Sequence, residues 1–158
     1  MVEDEVMTAM GTAVEQGRAG DRAGARRALT ELWDTVGDQG DALHRCSIAH
    51  YLADLQDEIA DELRWDQRAL AAVTDLSDER ARRYRDSFQV RAFLPSLHLN
   101  LADAHRRSGD FAEARRYLAT AVEHVDALPD DDYGAMIRSG IGKVREAVEA
   151  GSRGPLAT

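Results

Sequence analysis

The stretch LHLNLADAHRRSGDFAEARRYLATAV (Leu97–Val122) places apolar residues at helical spacing on both sides of a single Ser-Gly-Asp break. A strand cannot use that pattern, because its side chains change face at every residue. Two short amphipathic helices folded back on each other can use it. Each helix then carries an apolar stripe that must be buried against a neighbour. The rest of the chain repeats the theme, and no stretch alternates Val, Ile, Thr and aromatics in the way a half-buried strand would.

Composition agrees with an all-α protein. The 158 residues fit one domain with a real core, and 44% hydrophobic with 31% charged content describes a globular chain. Alanine, leucine, arginine and glutamate are plentiful, and Pro95, Pro129 and Pro155 are the only prolines. All but Lys143 of the 20 basic residues are arginine, a bias expected of a GC-rich genome. Net charge is −9, which argues against general nucleic-acid binding. No apolar run approaches the roughly 20 residues that span a bilayer. The acidic start, MVEDEVMTAM, is unlike a signal peptide, and Cys46 stands alone. The expected compartment is the cytoplasm.

Turn signals divide the chain. A first helix of about 3–17 ends at GRAGDRAG, and Asp21 is placed to cap the next, which carries Ala25, Leu29, Leu32 and Trp33. GDQGD (Gly37–Asp41) opens a third helix, and a fourth follows from near Asp57. Ser77 is an N-cap candidate for a long helical pattern reaching Ser108, with a kink or short break expected near Pro95. Phe111–Leu128 and about 133–150 are the last helices, and 151–158 reads as a flexible tail.

These signals resemble the tetratricopeptide repeat, a helical hairpin of about 34 residues. Leu101-Ala102 match the family's Leu-Gly pair, and Gly109-Asp110-Phe111 its Gly-Asp-aromatic turn. Ala114, Leu118 and Ala121 match its small–large–small series. His98 and His105 stand where the family prefers tryptophan and tyrosine. AGDRAGARRAL (Ala19–Leu29) is similar to SGDFAEARRYL (Ser108–Leu118), which is internal self-similarity. The resemblance implies one domain over 1–150, with repeats at about 3–36, 41–74 and 95–128 and a capping helix at about 133–150. It further implies about seven helices in a short right-handed superhelix. HRCSIAHYLADLQDE and FLPSLHLNLAD are similar to segments of small bacterial tetratricopeptide-repeat proteins of unassigned function.

The resemblance attaches no reaction and no cofactor. It implies a groove lined by the first helix of each hairpin, with Leu99, Asp103 and Arg106 facing it. Asn100 falls at a position that hydrogen-bonds peptide backbone or a terminal carboxylate in chaperone-binding members. From charge alone, Arg82, Arg83 and Arg85, with Arg80 and Arg91, form either a solvated face paired with acids such as Asp57, Glu58, Asp61 and Glu62, or a socket for a carboxylate. Tyr84 and Phe88 are the neighbouring aromatic anchors.

Cys46, His50 and Asp54 stack on one helical face and are the metal candidates, although a lone helical cysteine is more often a small buried hydrophobe. The expected function is a non-catalytic module for a protein or peptide partner, or for a second copy of itself, with no nucleic acid and no membrane. The alternatives are a sensor of a small ligand or signalling peptide, and a metal-dependent enzyme.

Overall fold

A computed structural model describes residues 4–80 and 90–156. Arg82, Arg83, Tyr84, Arg85 and Phe88 lie outside the described residues. The described residues are helical, with no strand among them. No helix among them is long and apolar enough to cross a membrane. The chain divides into two compact units, 1–88 and 89–158.

The first unit contains α1 (Glu5–Arg18), α2 (Arg22–Val36), α3 (Ala42–Asp54) and α4 (Ile59–Val73). α1 pairs with α2 and α3 with α4, and α3 also touches α1 and α2. That central place explains its burial pattern, since Leu43, Cys46, Ile48, Ala49, Leu52 and Ala53 are all buried. α2 and α4 meet through Trp33 and Trp65, whose rings make a T-shaped contact at 5.1 Å, with the Arg68 guanidinium 4.3 Å above Trp65.

The second unit contains α5 (Leu94–Ser108), α6 (Phe111–Glu123) and α7 (Asp132–Glu149). α5 pairs with α6, and α7 lies against both. Leu99, Ala102, Ala114, Leu118 and Ala121 meet Ile137, Ile141, Val144 and Val148 in one core.

Ser77 Oγ does accept the Arg80 amide, at 3.1 Å, where a helix opens. The short break expected near Pro95 is present among the described residues. A 3-10 turn at Val90–Ala92 and a turn at Phe93 precede α5, and Pro95 lies in its first turn. A first-turn amide has no intrahelical acceptor, so proline costs nothing there and its fixed φ suits the helix.

The similar segments 19–29 and 108–118 make the same turn. Gly20 and Gly109 are left-handed, with φ +110° and +92°. Each donates its N–H three residues back, to Gly17 and Arg106, and the following Asp N–H reaches five back, to Gln16 and His105. Asp21 and Asp110 then cap the next helix by accepting from Gly24 and Glu113. Ala25, Leu29, Ala114 and Leu118, at matching places beyond the turns, are all buried. Asp21→Ala and Asp110→Ala should each cost about 1 kcal/mol. Urea denaturation checks both, followed by Trp33 and Trp65 fluorescence for the first and by helical circular dichroism for the second.

Candidate functional site

The site begins at the end of α7. Gly151 is left-handed, with φ +64°. Its N–H bonds to Val148 O and the Ser152 N–H to Ala147 O, a helix stop that turns the chain back. Residues 152–156 then lie on the C-terminal part of α5.

Arg106 holds them there. Its side chain is fully buried, with Nε and Nη2 both donating to Asp103 Oδ1 at 2.9 and 2.7 Å. Its Nη1 donates to the carbonyls of Ser152 and Gly154, at 2.8 and 2.7 Å. Arg107 Nε completes Asp103 through Oδ2, at 3.0 Å. A guanidinium survives burial only when a carboxylate and further acceptors take its protons. Arg106 has both, and two of its four bonds end on the backbone of the tail.

Two further contacts fix the segment. Arg153 Nε donates to Arg107 O at 3.1 Å, and a Cβ on Gly109 would lie 3.3 Å from Arg153 Cζ. Glycine at 109 therefore serves the turn and leaves room for Arg153. Leu156 packs on the apolar core of the unit. The tail expected to fray is thus docked through Leu156, because Arg106 and the core supply partners that its own composition does not reveal.

Leu99, Asp103 and Arg106 lie on one face of α5, and that face is covered. Leu99 lies in the core against Gly140, where a Cβ would stand 3.0 Å from its Cδ2. α7 has its own apolar stripe to bury, and it takes the surface that an open groove would leave free. Asn100 is half-buried on the same helix.

His98 and His105 pack among aromatic rings. His105 stacks on Tyr117 with centroids 5.3 Å apart and 7° between planes. His98 stacks on Tyr117 at 6.0 Å and on His124 at 6.1 Å. The buried His98 Nδ1 and His105 Nε2 have no hydrogen-bond partner. Burial lowers the His98 pKa, and His124 and Arg116 lower it further against the opposing charge of Glu123.

In the first unit Cys46 is buried, and burial pushes its thiol up to about 12 against the smaller pull of Arg45. Burial lowers the His50 pKa, and Asp54 opposes that. Asp54 is exposed, so the predicted metal face is split between interior and solvent. Among the described residues no group of three His, Cys, Asp or Glu side chains could hold a metal ion. A shallow cleft of about 280 Å³ lies nearby, lined by Val14, Arg18, Arg22, Tyr51 and Asp54 among others.

Arg80 is already engaged within the unit. Its Nε donates to Asp41 at 2.5 Å and its Nη2 to Asp4 at 3.1 Å, and His44 Nε2 lies 2.9 Å from Asp4. Asp4 and Asp41 are the N-caps of α1 and α3, bonded to the Met7 and Leu43 amides. Burial raises the pKa of both, but these bonds outweigh it and hold both below the usual carboxylate value. Of the acids named from the sequence, Asp57 pairs with Arg22 and Arg26, and Asp61 with Arg64. The network of Asp4, Asp41 and His44 escaped the sequence reading because its members are far apart in the chain. The one local signal was an aspartate ahead of each helix.

Compared with family models, curated proteins and solved structures, the chain matches none.

Two outcomes follow from these environments. Native Cys46 should resist a thiol reagent and react on unfolding, which Ellman's assay reads. The folded pKa of His98 lies below the 6.5 of the unfolded chain, so the unfolded state takes the proton first. Its contribution to stability is complete above 6.5 and is lost as pH falls through the folded value. Melting temperature should therefore drop between about pH 8 and about pH 5. His98→Phe, which keeps a stacked ring without a proton site, should lessen that drop.

Proposed function

We propose that the chain is a non-catalytic helical-hairpin module of the tetratricopeptide-repeat kind, binding an extended segment of a partner protein on α5 of its second unit. One observation carries this reading: a buried Arg106, set by Asp103, donates to two alternate backbone carbonyls of a short non-helical segment. Main-chain recognition of that type suits a peptide, since it fixes direction and register while leaving side chains to supply specificity. The paired Gly-Asp turns at 20–21 and 109–110 support the repeat assignment, because both sequence and hydrogen bonding recur. A second copy of the chain could supply the bound segment as well as another protein could.

The reading is tested by selection from a random peptide-display library on the purified chain. One family of extended sequences with an apolar anchor should be enriched. Asp103→Asn, which loosens the seat of Arg106, should reduce that enrichment. Selection no better than on an unrelated helical protein would sink the proposal.

A further inference from the structure

We propose that residues 152–156 are a built-in pseudo-ligand, filling in cis the surface that α5 offers in trans to a partner segment. The inference rests on the binding reading above and names the segment's chemistry. It presents two carbonyls two residues apart, bends at the second, and carries Pro and then an apolar residue after it.

The segment is attached as a ligand would be. Arg106 contacts it through the carbonyls of Ser152 and Gly154, which any residue type can present. Arg153 adds one bond, to Arg107 O, and stands over the turn at Gly109. Leu156 provides an apolar anchor on the core. Pro155, placed between the second carbonyl and the anchor, lacks an amide that would need an acceptor. Gly151 works as the hinge, since its left-handed turn marks where α7 stops and the strap begins.

Arg106 is fully buried, and two of its four bonds end on the strap. Removing the strap leaves a cation and its carbonyl-binding donors facing water beside an apolar seat. A competing segment restores both. A short tether gives the strap an effective concentration on the order of millimolar, so it holds off weak competitors and yields to stronger ones.

The test uses the full-length chain and a fluorescein-labelled peptide Gly-Ser-Arg-Gly-Pro-Leu, read by anisotropy. A Leu156→Ala chain, whose own strap is weakened, should bind the peptide about tenfold or more tightly than the unaltered chain. A peptide with Ala in place of its Leu should bind neither. Arg153→Ala provides a second loosened chain should L156A fail to fold. Unlabelled peptide in excess should also speed amide exchange at residues 152–156 of the unaltered chain.

Equal affinity for unaltered and loosened chains would overturn the inference, because the strap would not be the competitor. Absence of binding to every chain would overturn it too. In that case peptides selected from the library would still bind if the broader reading holds. Failure of both the strap peptide and the library would remove the binding function itself.

Discussion

Everything in the two units depends on how closely paired helices approach at small residues. A Cβ on Gly17 would lie 3.1 Å from the Ala25 Cβ, so α1 and α2 touch almost backbone to backbone. Ala13 and Ala25 in the first unit, and Ala102, Ala114 and Ala121 in the second, are all buried at such places. Larger side chains there would push the helices apart and open the core around Leu29 and Leu118. Each cavity of that kind would cost several kcal/mol. The Gly-Asp turns follow from the same constraint, since helices this close must be joined by a short reversal. A left-handed glycine supplies it at least steric cost.

What the sequence revealed is what depends on neighbours a few residues apart. Helical spacing, the caps at Asp21 and Ser77, and the paired turns at Gly20 and Gly109 are all local, and all were legible. Pro95 was legible as an interruption, but its placement as the first turn of α5 depends on a 3-10 turn just before it. The docked strap was not legible. Its partners on α5 are 46 and 48 residues away in the chain, and its composition is that of a loose end. The Asp4–Arg80 pair spans 76 residues, and no local pattern foretells it.

The arginines of the site also show why composition underdetermines function. A chain of net charge −9 with clustered arginines suggests sockets for acidic partners. Arg80 is instead turned inward, onto the caps of α1 and α3. Arg106 is turned inward onto Asp103 and two carbonyls. Each satisfies acceptors that would otherwise be partly buried, and loss of either would strand a carboxylate. Their charge belongs first to the fold, and Arg106 is set apart because half of its bonds reach a segment that can leave.

On the binding reading proposed above, that asymmetry decides what kind of binder the second unit is. A groove open to solvent would expose the seat of Leu156 and the donors of Arg106 whenever no partner was bound. A self-supplied segment removes both costs, and the partner must then beat a tethered rival instead of water. Discrimination improves as a result, because a weak segment cannot displace a strap present at millimolar-order effective concentration. A segment reproducing the two carbonyls and bringing a better anchor than one leucine can. Specificity then comes from the difference between two similar complexes, one of them encoded in the chain itself.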